Sequence, residues 1–406
     1  MSHTLTARSL LTAFGLVEFP VLTVADDGTI AAIDSDPRSL AHETSILAAG
    51  FLDIHNHGAK GIDVMNSGLR QFREMQTFLA RHGVAHYLPT TVTAPVDFTL
   101  RALEAMADSI EAPEREDEAR PVGIHIEGPF LSHLKRGMHP AEYLQPPSIE
   151  LFERLQAAAR GHIRLMTIAP EPNAVASKVP GAGNGSSNPL FAQSSALELI
   201  QYAAEHGVRC SIGHTNATAA ETVAAIEAGA VSATHTFNAM RPLDHREPGV
   251  LGTVLDDERI FADLICDGVH VAPPLVRLWL KAKGATRGIL ITDALSATGM
   301  PDGNYVAGSS SVEVFGNRAL VAKDLAAGKE TLAGSVLTLD RAVANLQQFT
   351  GCSLAEASRL ASHNPAAMLG CPELTTLSPG SAATLNRFDA DGRLIATYLR
   401  GRRIKE

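Results

Sequence analysis

Residues 50–58, GFLDIHNHG, join an apolar run of strand type to two histidines one residue apart. Side chains alternate across a β-strand, so His55 and His57 leave it on one face and can grip one ion together. The same theme, a short apolar run ending in polar residues and followed by an amphipathic helical stretch, recurs along the chain. It is found at 48–57, 86–93, 121–128, 163–171, 209–215, 231–240, 260–270 and 288–299. Helical periodicity lies between these runs, as in 69–84, 194–208 and 218–230. Strands alternating with helices predict a parallel sheet, and eight of them predict α/β architecture closed as a TIM-like (β/α)8 barrel.

The two ends read differently. Residues 1–50 carry short strand-like pieces around Gly28 and no convincing helix, and residues 372–406 alternate strands and turns. We expect both ends to share one small, discontinuous β-sandwich domain, with 51–371 forming the barrel. The stretch 353–370 reads as helical, 331–349 as a loop running into a helix, and 177–190, SKVPGAGNGSSNPL, as a flexible surface loop.

Composition narrows the function classes. The 406 residues are 45% apolar and 19% charged, which suits a globular protein with a sizeable core. The formal net charge of -10 and the lack of a long Lys/Arg run argue against a nucleic-acid partner. The same negative field repels an anionic substrate, so a phosphorylated ligand would need local cations at its site. No stretch approaches the roughly 18 uninterrupted apolar residues of a membrane span. The N-terminus lacks a signal-peptide pattern, and Cys210, Cys266, Cys352 and Cys371 form no CxxC pair, so a cytoplasmic location is expected.

The ionisable residues carry the chemistry. His55, His57, Glu127, His214, His235, His270 and Asp293 all fall at ends of predicted strands, which converge on one face in a barrel. Taken alone, a strand-end histidine is more often a packed or surface group, and His86 and His206 read that way. Four of these histidines, His55, His57, His214 and His235, placed together with the two acids read as a metal centre, because divalent ions such as zinc favour imidazole nitrogens with a carboxylate. We expect His55, His57 and Asp293 to hold one ion and His214 and His235 a second, with Glu127 bridging both. Zinc is expected first, although these ligands suit iron and other divalent ions too. His125 shares the strand face of Glu127 and reads as a ligand, a supporting group or a packed core residue.

The segments GFLDIHNHG, GIHIEGPF (123–130), GHTNAT (213–218), THTFNAMRPLDHREPG (234–249), DGVHV (267–271), ITDALSATG (291–299) and TLAGS (331–335) resemble, in order and spacing, the N-acetylglucosamine-6-phosphate deacetylases of the amidohydrolase superfamily. The resemblance spans roughly residues 45–370. It implies Glu127, His214 and His235 as principal metal ligands and Asp293 as catalytic acid/base. His139 matches a residue that polarises the acetamide carbonyl, with Met138 beside it. Asn238 and Ala239 look like substrate contacts, Arg246 and His270 like phosphate-facing groups. Asp267, Gly268, Val269 and His270, with Leu332, Ala333 and Gly334, would line the sugar pocket. The resemblance also implies a homodimer in which Arg246 reaches the neighbouring active site. The expected reaction is hydrolysis of the N-acetyl group of N-acetylglucosamine 6-phosphate to acetate and glucosamine 6-phosphate, a step of amino-sugar metabolism.

Some members of that family carry amides where this chain has His55 and His57 and work with one metal, so this chain resembles the binuclear type. Two further departures, the length of 177–190 and the sequence SAATLNRFDADG at 381–392, lie away from the expected site. Three rivals stand beside this reading: a deacetylase of a related N-acetyl-hexosamine phosphate, a cyclic amide hydrolase or deaminase, and a catalytically silent homologue acting as a binding protein. Many cyclic amidohydrolases bridge two metals with a Lys at the end of strand four, but IRLMTIAPE (163–171) has none. A silent homologue should have lost ligands or Asp293, and none is lost.

Overall fold

The computed structural model describes residues 2–172, 191–308 and 310–404, so the surface loop expected at 177–190 lies outside the described residues. Eight strands build the barrel: β1 Phe51–Asn56, β2 Val84–Pro89, β3 Ile124–Glu127, β4 Ile163–Ile168, β5 Arg209–Ile212, β6 Ala230–Ala233, β7 Phe261–Ile265 and β8 Gly288–Ile291. They pair in parallel, β1 with β2 and β3 through β8 in succession. Single bridges close the remaining seams, Thr90 with His125 between β2 and β3 and Asn56 with Ala294 between β1 and the end of β8. Both faces of these strands are covered, which is why they read as nearly continuous apolar runs.

Helices follow the strands, including Leu69–Arg81, Val96–Glu111, Ala196–Glu205 and Ala219–Glu227. Several start where the sequence supplies a cap and a Glu three residues on. Ser195 and Glu198, Thr218 and Glu221, and Ser353 and Glu356 each form a capping box. The stretch 353–370 is two helices, Leu354–Ala361 and His363–Leu369, broken at Ser362. Pro365 has no N–H for a continuing helix and is tolerated only in the first turn of a new one.

The chain ends meet in a six-stranded sheet whose centre pairs Ile46–Ala49 with Leu385–Phe388 antiparallel and with Ser9–Thr12 in parallel. A three-stranded sheet, His3–Thr6, Pro20–Val24 and Ile30–Ser35, shares its core, in which Leu5, Leu10, Leu22, Val24, Leu47 and Leu385 are buried. Each such side chain contributes about 1.5–3 kcal/mol on burial. One element departs from the sequence reading: a three-stranded antiparallel sheet, Gly303–Ala307, Ser310–Phe315 and Arg318–Val321, follows β8. Its inner residues Val312, Val314 and Ala319 pack on Leu295 and Ala297. Its outer residues Val306 and Phe315 are exposed, which blurs the alternation. This sheet delivers the segment 329–334 to the rim of the barrel mouth.

Candidate active site

Three of the expected residues reach the site by one repeated device. His214, His235 and Asp293 each sit two residues past the end of their strands β5, β6 and β8, with φ of 48°, 31° and 49°. A left-handed conformation is costly for a residue with a side chain, and such strain concentrates at functional sites. It turns each side chain inward over the barrel mouth. Glu127 ends β3, and His55 and His57 leave β1 toward the same point.

The donor atoms converge. His55 and His57 bring their Nε2 atoms to 3.0 Å, and His214 and His235 bring theirs to 3.1 Å. Glu127 lies between the pairs. Its Oε1 is 3.4, 3.2 and 3.1 Å from Nε2 of His55, His214 and His235, and its Oε2 is 3.3 Å from Nε2 of His57. Asp293 Oδ1 stands 3.1 Å from His57 and 3.5 Å from His55. Two ligand sets result that could each hold an ion: His55, His57 and Glu127, and Glu127, His214 and His235. All of these residues are buried.

The hydrogen bonds around the rings set their chemistry. His57 Nδ1 donates to the Thr90 carbonyl and His214 Nδ1 to the Lys135 carbonyl, each at 2.9 Å, which turns both Nε2 atoms toward the cluster, where they could ligate a metal. His139 is held the other way. Its Nδ1 accepts the Thr93 backbone N–H at 3.2 Å, so its Nε2–H points to Glu127 Oε2 at 3.3 Å as a donor. Gly128, with φ of 83°, makes room for this arrangement, since a Cβ there would stand 2.0 Å from Thr93 Oγ1.

Charge balance also fits a metal. Burial pushes the carboxyl of Asp293 up, but the charge of His55 and the hydrogen bond from His57 outweigh it and bring it down to about 2. Burial likewise opposes ionisation of Glu127, and the surrounding histidines hold it well below the carboxylate range. Burial disfavours charged His57 and His235, yet their carboxylate partners raise them to about 10 and about 9. Burial leaves His214 neutral, at about 4. Two buried carboxylates thus demand positive charge at this point; protons on His57 and His235 supply it here, and a divalent ion would supply it in their place, freeing the Nε2 lone pairs to ligate it.

The cluster floors a cavity of about 520 Å³. Of the expected residues, His57, Glu127, Met138, His139, His214, His235, Asn238, Ala239, His270, Asp293, Leu332 and Gly334 line it. Asp267 acts from behind, accepting from the backbone N–H groups of Val269 and His270 at 2.8 Å and pairing with His270 Nδ1 at 2.7 Å. Gly268 belongs to this turn, with φ of 75°. Ala333 is fully buried against the core of the small sheet, not in the cavity wall. Arg246 is exposed on the loop after β6, outside its own chain's cavity. His125 lies beneath the cluster, its Nε2 2.8 Å from Thr167 Oγ1 and its ring edge-on to His55. His86 sits in the lower half of the barrel, and His206 is an exposed helix C-cap.

Sequence reading missed Thr90, Thr93 and Lys135, whose backbone groups orient the site histidines, because a backbone carbonyl or N–H has no sequence signature. It also missed Arg136 and Lys329 in the cavity wall. TLAGS gains a structural meaning: Ser335 N–H donates to the Asp293 carbonyl at 2.7 Å, and a Cβ on Gly334 would come within 2.9 Å of that oxygen.

A model of the amidohydrolase family matches residues 46–404. The N-acetylgalactosamine-6-phosphate deacetylase of Escherichia coli O157:H7 is 35% identical over 403 residues, 99% of each chain. The N-acetylglucosamine-6-phosphate deacetylase of Bacillus subtilis (strain 168) is 34% identical over 386 residues, 93% of this chain and 90% of the relative. The crystal structure of N-acetyl-D-glucosamine-6-phosphate deacetylase from Mycobacterium smegmatis superposes with a TM-score of 0.86 at 32% identity, covering 99% of this chain and 100% of that one. With a barrel whose strand ends carry the donor set of a divalent-metal hydrolase, and with these full-length relatives, the chain belongs to the amidohydrolase family, in its N-acetylglucosamine-6-phosphate deacetylase branch.

Proposed function

We propose that the protein hydrolyses the N-acetyl group of N-acetylglucosamine 6-phosphate. The observation that carries this is the placement of Asp293 and His139 on the floor of one cavity, with Glu127 and four imidazole Nε2 atoms gathered between them. We assign His55, His57 and Asp293 to one divalent ion and His214 and His235 to a second, with Glu127 shared and zinc as the first expectation. A divalent ion bound there supplies the Lewis acidity that makes water nucleophilic near neutral pH. Asp293, ionised, accepts the proton of the attacking water. His139 donates from Nε2 to the acetyl oxygen as the carbonyl becomes tetrahedral. Asp293, now a carboxylic acid, returns its proton to the nitrogen as the C–N bond breaks, and acetate and the amine leave.

Met138, Asn238, Ala239, His270, Leu332 and Gly334 surround the sugar in this reading, with Asp267, Gly268 and Val269 forming the turn behind His270 and Ala333 packed beneath. His270 and Arg246 face the phosphate, Arg246 from the partner subunit of a homodimer. Its exposure on the loop after β6, outside the lining of its own chain's cavity, is compatible with that assignment. We place the domain division at 50/51 and 371/372. We place the enzyme in the cytoplasm, a reading supported by four unpaired cysteines; no described helix is long and apolar enough to cross a membrane.

A second reading, the galacto epimer as substrate, is favoured by the 35% identical E. coli relative. The test is acetate release by metal-replete protein from N-acetylglucosamine 6-phosphate, N-acetylgalactosamine 6-phosphate and unphosphorylated N-acetylglucosamine. The gluco 6-phosphate should be turned over fastest. Faster release from the galacto 6-phosphate would select the second reading, and no release from either phosphate would refute both.

A further inference from the structure

Strands β4 and β7 bring no histidine to the cluster, yet each supplies an acid that grips a neighbouring strand end. Glu171, just past β4, accepts the Asn216 backbone N–H at 2.8 Å through Oε1, and its other oxygen takes the Thr215 hydroxyl. Thr215 in turn donates its N–H to Ala239 O at 3.0 Å and accepts Arg241 N–H at 3.0 Å, which ties the turn after His214 to the cavity wall. Asp263, buried in β7, accepts the backbone N–H of His235. On β1, Asp53 is fully buried below His55, accepts the Thr292 hydroxyl at 2.6 Å and lies 3.4 Å from the His55 N–H. Each acid therefore clamps the chain within two residues of a group in the metal cluster.

The clamps sit where they are needed. His214, His235 and Asp293 hold left-handed φ values that an unconstrained residue would leave, and leaving them would swing the side chain off the cluster. Within the metal-centre reading above, we propose that Glu171, Asp263 and Asp53 are positioning residues: a tier of carboxylates that fixes the strained strand ends, so that the imidazoles are set before an ion arrives. None of them offers an atom to the two ligand sets.

The test uses metal-free protein titrated with cobalt(II), its affinity read by chelator competition and by the visible absorption of the bound ion, with the melting temperature of the metal-free form measured alongside. Glu171→Ala and Asp263→Ala should weaken cobalt binding by about 10–100-fold. Glu171→Gln and Asp263→Asn, whose amide oxygens still accept the backbone N–H, should restore most of it. Glu171 is half-buried, so its pair of variants keeps the test available if Asp263→Ala does not fold. Unchanged affinity in the alanine variants, or a loss that the amide variants do not restore, overturns the proposal. Because the readout is cobalt, that failure leaves the deacetylase reading standing, whereas wild-type protein that binds no cobalt sinks the metal centre itself.

Discussion

The upper end of the barrel buries a cluster of histidines among carboxylates, while the lower half holds the half-buried His86 with none beside it among the described residues. At the upper end, Glu127 and Asp293 stand within hydrogen-bonding reach of the rings, and His57 and His235 are raised to about 10 and about 9 despite burial. In the lower half, His86 has no carboxylate partner. Burial, helped by the charge of Arg120, brings it down to about 4, and its Nδ1 has no hydrogen-bond partner. The backbone differs too: His214, His235 and Asp293 at the top hold left-handed φ, while His86 lies within strand β2, beside a register shift against β1. Burial brings His86 and His214 alike down to about 4; what sets the upper end apart is its two buried carboxylates, which ask for a cation. In this fold the upper face carries chemistry and the lower face stability.

The largest effect should come from stripping the upper end of metal. Chelation should lower acetate release by at least about 10³-fold, with recovery on adding zinc, since water loses its activation; full activity after verified metal removal would erase the contrast. Replacing Asp293 with Asn should reduce kcat by about 10²–10⁴-fold, with metal content by elemental analysis retained through the histidines and Glu127. Retained turnover would remove Asp293 as acid/base.

His139→Ala should cost about 10²-fold in kcat with little change in KM, as loss of one oxyanion donor does; a rise in KM alone would make it a binding residue. Arg246→Ala should raise KM for the phosphorylated sugar about tenfold, the worth of a charged hydrogen bond, and leave unphosphorylated N-acetylglucosamine unaffected. Equal losses on both sugars would refute the phosphate role.

The smallest effect belongs to the lower half. The folded pKa of His86, about 4, lies below its ordinary value of 6.5, so the unfolded chain takes up the proton first. Stability should therefore fall as pH drops from 6.5 toward 4. His86→Gln should flatten that slope in thermal melts between those pH values and leave kcat unchanged. An altered kcat would mean that the two ends are coupled.

Much of the site was legible because barrel topology turns sequence periodicity into convergence. Strand ends can be counted in the sequence, and parallel strands bring them to one face, so His55, His57, Glu127, His214, His235 and Asp293 could be gathered before any coordinates. The small sheet at 303–321 was not legible, because its strands are short and expose Val306 and Phe315 where alternation predicts polar residues. Nor was the burial of Ala333 or the resting place of His125, since one strand face can point to the cavity or to the packed layer beneath it.

The sequence by itself determined which residue types stand at which strand ends, and with them the barrel, the donor set and the chemistry of a divalent-metal hydrolase. Only the tertiary structure decided which nitrogen of each ring faces the site. The Thr90 and Lys135 carbonyls hold Nδ1 of His57 and His214 and turn their Nε2 atoms toward the cluster, while the Thr93 N–H occupies Nδ1 of His139 and leaves the ring proton on its Nε2. All three are the same residue in the sequence. Their roles separate because a ring's free nitrogen is fixed by whichever backbone group the fold sets against the other one.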